Sequence, residues 1–276
     1  MSRRYSGGAM KTNGSPLPGP RKRLGQNFLH DPAVIEQIID LFGPKRGDRV
    51  VEIGPGRGAL TGRLLDRLGS LDVIELDRDL VPHLKEVFTD RGQLTVHEAD
   101  VLSFNISKLA TNKPLRVIGN LPYNISTPLL FHLFASAGTI SDMCLMLQKE
   151  VVDRMVAEPG SKSYGRLSVM VGWYCKASRG FNVRPGAFSP PPKVDSSIVL
   201  LQPHSKPPAA VEDLSFFTEV VRSAFSQRRK TLRNALKQLV SESAFEEASV
   251  DPGLRAEAIS INEFARLSNA AWKARE

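Results

Sequence analysis

Cysteine is scarce in this sequence. Cys144 and Cys175 are the two cysteines among 276 residues, and they lie far apart. Neither belongs to a Cys-x-x-Cys pair or has histidine companions at the spacing of metal ligands, so the pattern indicates neither a disulfide framework nor a zinc site. We predict that both are core thiols in a reducing compartment, and that the protein uses no metal.

Long apolar runs are also missing. The longest are far shorter than the roughly 20 residues of a membrane-spanning helix, and no charged-then-apolar signal segment opens the chain. With 41% hydrophobic and 24% charged residues, the composition suits one large domain and a small one. We therefore expect a monomeric cytoplasmic protein with no membrane partner.

Acidic residues are the minority among the charged ones. The 37 lysines and arginines outnumber the 29 acids, giving a net charge of +8 and a pI near 9.6, which favours a polyanionic partner such as nucleic acid. Residues 1–20 contain no acid and few apolar side chains, a composition that predicts a disordered tail. A mitochondrial transit peptide is an alternative, although the segment lacks an amphipathic helical pattern.

The most informative stretch is Asn120-Leu121-Pro122-Tyr123, which follows an apolar run that predicts a buried strand at 115–118. Pro122 has no N–H, which leaves the Leu121 carbonyl oxygen without a local partner. That oxygen and the Asn120 amide oxygen could accept both hydrogens of an exocyclic amine while the base stacks on Tyr123. The alternative is a strand-to-helix turn with Asn120 as the N-cap.

A strand, a glycine loop and a helix follow one another earlier in the chain. Residues 49–53 contain Val50, Val51 and Ile53, a β-branched pattern that predicts a short strand, and they lead directly into Gly54-Pro55-Gly56-Arg57-Gly58. Such a loop lets the backbone approach a nucleotide closely. The spacing of Gly54, Gly56 and Ala59 also satisfies the dinucleotide pattern G-x-G-x-x-A, so the loop alone leaves an oxidoreductase open.

Polar residues stand at the ends of successive predicted strands. Glu75 ends the strand at 71–76 and Asp100 follows the strand at 94–96. Because the carboxyl ends of parallel strands meet at one sheet edge, we expect these acids beside Gly54 and Asn120. Glu75 lies within an apolar run, so it needs a partner, and it could accept both hydroxyls of a ribose.

Apolar periodicity predicts most other elements. They are a helix at 32–42 capped by Asp31, helices at 60–68 and 80–88, a helix at 126–134, a strand at 142–148, a helix at 149–157 and a strand at 197–201. Residues 167–174 fit either a helix or a strand. Residues 181–196 contain four prolines and predict a rigid connector.

The chain after residue 210 has a helical pattern only. Residues 202–210 contain three prolines and form the clearest domain boundary. Arg229, Arg233 and Lys237 repeat at i, i+4 and i+8 and are expected to share one helix face. A solvated face is one interpretation, and a phosphate-contacting surface is the other.

Five motifs, in order, resemble those of one family. They are Gly25-Gln26-Asn27-Phe28-Leu29, Gly54-Pro55-Gly56-Arg57-Gly58, Asn120-Leu121-Pro122-Tyr123, Phe188-Ser189-Pro190-Pro191-Pro192-Lys193-Val194 and Phe225-Ser226-Gln227-Arg228-Arg229-Lys230. These are similar to the motifs of KsgA-like small-subunit ribosomal RNA adenine dimethyltransferases, and the resemblance spans about Arg21 to Leu239. It implies a class I S-adenosylmethionine methyltransferase fold: an α/β, Rossmann-like, mostly parallel sheet with an antiparallel last strand, then a small all-helical domain.

The resemblance also assigns residues and domains. After the disordered tail that composition predicts at 1–20, it implies a methyltransferase domain at 21–205 and a helical RNA-binding domain at 206–276. The methyl donor S-adenosylmethionine would contact Asn27, Leu29, Gly54, Gly56, Glu75, Asp100 and Asn120. The catalytic group would be Asn120, Leu121, Pro122, Tyr123 and Phe188, with Phe188 facing Tyr123 across the base. RNA would contact Arg228, Arg229, Lys230, Arg233 and Lys237.

The implied reaction is dimethylation, at N6, of two adjacent adenosines in a hairpin near the 3′ end of 16S rRNA. The partner would be this RNA in the small ribosomal subunit or its precursor. Three alternatives stay open at this point: a DNA adenine methyltransferase, a non-catalytic ribosome-assembly or transcription factor with the same fold, and a dinucleotide oxidoreductase.

Overall fold

The computed structural model describes residues 19–21, 24–227 and 229–275. The tail predicted at 1–20 lies almost wholly outside these ranges, as does Arg228. No helix within the described ranges is both long enough and apolar enough to cross a membrane.

Seven strands form a mixed sheet within the described residues, in the order β4-β3-β2-β5-β6-β9-β7. Their bounds, with those of the separate pair β1 and β8, are β1 Phe28–Leu29, β2 Arg49–Ile53, β3 Ser70–Glu75, β4 Gln93–Glu98, β5 Leu115–Asn120, β6 Ile140–Gln148, β7 Cys175–Val183, β8 Phe188–Ser189 and β9 Ser196–Pro203. Strands β4, β3, β2, β5 and β6 are parallel, and β9 runs antiparallel to both β6 and β7. The predicted mostly parallel sheet is confirmed.

Helices cover both faces of the sheet and form the C-terminal region. They are α1 Pro32–Phe42, α2 Thr61–Leu68, α3 Leu80–Val87, α4 Ser126–Ala135, α5 Lys149–Met155, α6 Arg166–Tyr174, α7 Leu214–Ala224, α8 Leu232–Leu236, α9 Glu242–Ala248 and α10 Ile261–Lys273. Helix α1 begins as predicted, because the Asp31 carboxylate accepts hydrogen bonds from the N–H groups of Ala33 and Val34 and Pro32 occupies the first turn.

Alternation along the strands divides the apolar residues between two cores. Val117 and Leu145 pack with α4 on one face of the sheet, whereas Val50 and Ile118 pack with α1, α2 and α3 on the other. Burying each such side chain contributes roughly 1.5–3 kcal/mol. Cys144 and Cys175 are free buried thiols, as predicted.

A third core holds the helices after residue 210 together. It joins residues of α7 to α10 with Val169, Met170 and Trp173 of α6. Two hydrogen bonds reinforce this contact: Trp173 Nε1 donates to the Ala209 carbonyl oxygen at 3.1 Å, and Tyr164 Oη donates to the Ile259 carbonyl oxygen at 3.1 Å. The ambiguous segment 167–174 is therefore a helix, and it packs against the C-terminal helices.

Two expectations are wrong in detail. The segment predicted as a connector includes the end of strand β7, an edge strand whose polar residues and Gly180 obscure the alternation; its register also shifts between Arg179 and Asn182. The basic residues do not share one helix face, because α8 spans only Leu232–Leu236. Its first turn is fixed by main-chain bonds to the segment at 252–254, which leaves Arg229 before the helix.

Candidate active site

The carboxyl edge of the parallel strands opens into a cavity of about 270 Å³. Gly54 follows β2, Glu75 ends β3, Asp100 follows β4 and Asn120 ends β5, and all four line this cavity. The order of the parallel strands is what brings them together. Their individual roles stay predictions.

The glycine loop shapes one wall of the cavity. Gly54 and Gly56 have φ values of 64° and 58°, a left-handed conformation that glycine adopts at low cost. A Cβ on Gly56 would lie 3.1 Å from the Phe28 ring. The loop can therefore keep both its turn and its contact with Phe28 only while glycine occupies position 56.

Glu75 is 5% exposed, and its carboxylate has the partners that its burial requires. One oxygen accepts the Gly56 N–H at 3.1 Å, and the other accepts the Asp77 N–H at 2.8 Å. Burial raises the pKa of this carboxyl above its ordinary value. Because each oxygen has a further lone pair, Glu75 can still accept two hydroxyl hydrogens from a ligand.

Glu52, for which no role is predicted above, is a second buried acid of the cavity wall. It is 2% exposed and accepts a hydrogen bond from Thr61 Oγ1 at 2.7 Å. Desolvation raises the pKa of Glu52 to about 8, with a further contribution from the charge of Glu75, although the Thr61 bond opposes the shift. The sequence feature that points to Glu52 as a site residue is its position two residues before Gly54, the first glycine of the loop.

Asp100 sits at the more open side of the cavity. One of its carboxylate oxygens accepts the Leu102 N–H at 2.9 Å. Beside it the wall is apolar, formed by Ile53, Leu76 and Val101. A flat aromatic ring with a polar edge matches this combination of apolar wall and carboxylate.

The segment at 24–29 forms the cover of the cavity, and all six of its residues line it. Gln26 Nε2 donates to the Asp77 carboxylate at 2.9 Å, and Arg21 forms an ion pair with Asp77 at 3.2 Å. Asn27 and Leu29, which the resemblance places at the methyl donor, therefore lie on the cavity wall.

The Asn120–Tyr123 loop is held in place by its main chain. The Leu121 N–H donates to the Met146 carbonyl oxygen at 3.1 Å, and Ser126 Oγ donates to the Pro122 carbonyl oxygen at 3.1 Å. Among the main-chain hydrogen bonds of the described turns and loops, none is accepted by the Leu121 carbonyl oxygen. Helix α4 has Ile125 as its N-cap and lacks a side-chain capping bond, so the alternative of an Asn120 cap is excluded.

The side chain of Asn120 has a defined orientation. Its Nδ2 donates to the Asn27 carbonyl oxygen at 3.0 Å. Since the nitrogen and oxygen of a carboxamide point in different directions, this bond leaves Oδ1 as an acceptor on the other side. In this orientation Oδ1 can accept a hydrogen bond from an amine.

The two predicted aromatic residues differ in position. Tyr123 lines the cavity, its Oη lies 2.6 Å from Ser196 Oγ, and burial raises its phenol pKa. Phe188 is 2% exposed and packs in the core beside α1 and α2, and its strand pairs with Leu29. Phe188 is not among the cavity-lining residues, and its position across a base from Tyr123 stays a prediction.

The predicted RNA contacts lie in and around α8. Arg229, Lys230 and Lys237 are exposed, whereas the Arg233 guanidinium forms an ion pair with Glu242 at 2.8 Å. The described residues contain no group of three or more side chains that could hold a metal ion, and the absence of a metal from the reaction stays a prediction.

Comparison with known proteins identifies close relatives. The family model for ribosomal RNA adenine dimethylase matches residues 19–273. A ribosomal RNA small subunit methyltransferase A from Hahella chejuensis is 54% identical over 253 residues, 91% of this chain and 93% of that protein. The protein of the same name from Methylococcus capsulatus is 55% identical over 251 residues, 90% of this chain and 96% of that protein.

Two solved structures have the same overall arrangement. A dimethyladenosine transferase from Plasmodium falciparum is 28% identical and superposes with a TM-score of 0.73, covering 87% of this chain and 95% of that one. The 23S rRNA methyltransferase ErmE is 26% identical with a TM-score of 0.69, covering 88% and 99% of the two chains.

Proposed function

The chain belongs to the ribosomal RNA adenine dimethylase family, and from this premise we propose that it dimethylates the N6 amino group of adenosine in small-subunit ribosomal RNA. More specifically, we propose that its substrates are two adjacent adenosines in a hairpin near the 3′ end of 16S rRNA. It acts as a cytoplasmic monomer on this RNA within the small subunit or its precursor. S-adenosylmethionine is the methyl donor, and no metal takes part.

The cavity fits the donor. Glu75 offers two carboxylate lone pairs for a ribose, the glycine loop gives close access to the backbone, and Asp100 beside Val101 and Leu76 suits the amino edge and face of an adenine. When bound, S-adenosylmethionine supplies a methyl group on a positively charged sulfur, which is a good leaving group. Asn27 and Leu29 would then cover it from the N-terminal side.

The observation that carries the proposal is the orientation of the Asn120 amide. With Nδ2 bound to the Asn27 carbonyl oxygen, Oδ1 accepts one hydrogen of the target amine, and the Leu121 carbonyl oxygen accepts the other. These two bonds favour a pyramidal nitrogen, in which the lone pair is withdrawn from the ring and becomes nucleophilic. Tyr123 stacks on the extruded base.

Positioning is the main contribution of the chain to the rate. A methylated amine nitrogen is cationic and loses its proton readily, so no strong base is needed. The acids among the cavity-lining residues, Glu52, Glu75 and Asp100, stand at the ends of β2, β3 and β4 and serve the donor. After the first transfer one hydrogen remains on the nitrogen, so the same acceptors can position it again.

The helices after residue 205 provide the RNA-binding domain of this proposal. Arg229, Lys230 and Lys237 are exposed cations that can contact phosphates. Contacts with phosphates do not depend on the identity of the bases. These residues would therefore bind the RNA, and the Asn120–Tyr123 loop would select adenine. The helical core also includes α6, which ties this region firmly to the sheet.

The test is methyl incorporation from labelled S-adenosylmethionine into small ribosomal subunits from cells that lack the gene. Mass spectrometry of the digested RNA should yield N6,N6-dimethyladenosine, and DNA of the same base composition should remain unlabelled. Labelling of DNA, or binding to the subunit without methyl transfer by a protein that binds the donor, would contradict the proposal.

A further inference from the structure

Ser196 contacts the proposed target-base site from strand β9, two strands away from β5 in the same sheet. Its Oγ lies 2.6 Å from the Oη of Tyr123, although the two residues are 73 positions apart in the chain. Ser196 is 0% exposed, whereas Tyr123 is half-buried at the cavity wall. The stacking ring of the proposed site is thus fixed at its outer end as well as at its Cα.

The backbone of Ser196 is held more tightly than that of a loop residue. It opens β9, where it pairs with Gln148 of β6 on one side and with Val183 of β7 on the other. The residue before it, Asp195, accepts the Lys149 N–H at 2.9 Å through its carbonyl oxygen. A hydroxyl anchored on both flanks can restrict the displacement of a tyrosine ring, which its own two rotatable bonds would otherwise permit.

We propose that Ser196 is a positioning residue of the methyl transfer: its hydroxyl fixes the position of the outer end of the Tyr123 ring, and therefore the place where the target base stacks between the Asn120 amide and the donor. The inference rests on the proposed function. Ser196 does not touch the base; it acts through Tyr123 alone.

The neighbouring residue supplies a matched control. Ser197 is also 0% exposed, but successive strand residues point to opposite faces, and its Oγ donates to the Phe181 carbonyl oxygen at 3.4 Å. Ser197→Ala removes a buried hydroxyl from the same strand without affecting Tyr123. Tyr123→Phe removes the proposed bond from its other end and retains the ring.

The experiment measures single-turnover methyl transfer at saturating RNA and donor. We expect Ser196→Ala and Tyr123→Phe each to lower the rate about tenfold, the equivalent of roughly 1.4 kcal/mol in the barrier. The double variant should be no slower than either single one, because both remove the same bond. Ser197→Ala should keep the wild-type rate, and the donor Kd should be unchanged in all four proteins.

Equal rates for Ser196→Ala and Ser197→Ala would overturn the proposal, and so would a double variant whose losses multiply. A second measurement does not depend on turnover. With 2-aminopurine at the target position, stacking on Tyr123 quenches the emission, so Ser196→Ala should give a brighter complex than Ser197→Ala. If the wild-type protein transfers no methyl group to RNA, the proposed function fails. The emission experiment still tests Ser196: a brighter Ser196→Ala complex supports its role in positioning Tyr123, and equal emission from the two serine variants contradicts it.

Discussion

The side-chain amide of Asn120 donates a hydrogen bond to the main-chain carbonyl oxygen of Asn27, 93 residues away in the chain. This bond joins the end of β5 to the segment that covers the cavity. One contact therefore sets the direction of the acceptor offered to the target amine and also holds the cover over the donor side.

The first prediction concerns the chemistry of Asn120. Asn120→Ala removes the acceptor Oδ1 and should abolish methyl transfer, because the target nitrogen loses one of its two positioning bonds. Donor affinity should stay within roughly tenfold, or about 1.4 kcal/mol, since the other donor contacts remain. Transfer is followed with labelled donor and affinity by calorimetry; unimpaired turnover would remove Asn120 from the chemistry.

The second prediction uses a charge at the same position. Asn120→Asp cannot donate to the Asn27 carbonyl oxygen, and it places a carboxylate oxygen against it instead. We expect this repulsion to displace the cover at 24–29 and to weaken donor binding more than Asn120→Ala does, by more than about tenfold. The alanine variant is the control, because it removes the amide without adding charge. Equal donor affinities for the two variants would show that the added charge does not displace the cover.

The third prediction is a pH dependence of stability that originates at Glu52. Burial raises the pKa of Glu52 from 4.5 to about 8 in the folded protein. Between these values the unfolded chain has released a proton that the folded chain retains, so stability falls as the pH rises, by about 1.4 kcal/mol per pH unit for one group. At pH 8, Glu52→Gln should therefore have a higher free energy of unfolding than wild type, by roughly several kcal/mol at most.

The advantage of Glu52→Gln should shrink as the pH falls and disappear near pH 4.5. Glu86→Gln, which changes an exposed glutamate of α3, is the matched control and should follow wild type throughout. The measurement is urea unfolding across the pH range. A constant difference between Glu52→Gln and wild type would mean that Glu52 does not titrate in this window.

The sequence predicts the sheet edge well and the contacts across it poorly. Glu75, Asp100 and Asn120 could be placed on one edge because each follows a recognisable apolar strand, and the strand order then needs no further information. The Asn27 acceptor is a main-chain oxygen, a group that every residue has, so nothing in the residue types marks it. Ser196 has the same limitation, since its partner is 73 residues away.

Errors in the fold have a similar cause. Strand β7 is an edge strand with polar residues and an irregular register, so burial does not impose a strict alternation on its sequence. The regular spacing of Arg229, Arg233 and Lys237 predicts a longer helix than the one that forms. The N–H groups of Leu232 and Arg233 bond to the segment at 252–254, so α8 begins at Leu232 and not before Arg229. This tertiary contact overrides the local pattern.

The fourth prediction tests how closely β2 and β5 approach beneath the active site. Gly119 pairs with Ile53, and a Cβ at position 119 would lie 2.5 Å from the Ile53 carbonyl oxygen. Gly119→Ala should separate the two strands, cost about 1–3 kcal/mol in unfolding free energy and weaken donor binding, because Gly54 and Asn120 are the next residues along.

Gly138→Ala is the control for this substitution. A Cβ at Gly138 would meet nothing within 4 Å, so we expect a change within about 0.5 kcal/mol. Both variants are compared by urea unfolding and by donor titration. If Gly119→Ala is as stable as Gly138→Ala and binds the donor normally, the strands can separate without cost, and the tight approach is not required for the site.

The last prediction concerns the RNA-binding surface. Arg229 is exposed before α8, whereas Arg233 is partly neutralised by Glu242. Arg229→Glu should therefore weaken RNA binding more than Arg233→Glu, and it should flatten the dependence of log Kd on log salt, because fewer counterions are released on binding. The measurement is a titration of hairpin RNA at several salt concentrations.

Arg67→Glu is the control for this substitution. It makes the same charge change on α2, where Arg67 pairs with Asp40 at 3.0 Å, and it should leave the slope nearly unchanged. An equal loss for Arg67→Glu would indicate a general effect of net charge, and a loss independent of salt would indicate misfolding; either result would remove Arg229 from the RNA contact.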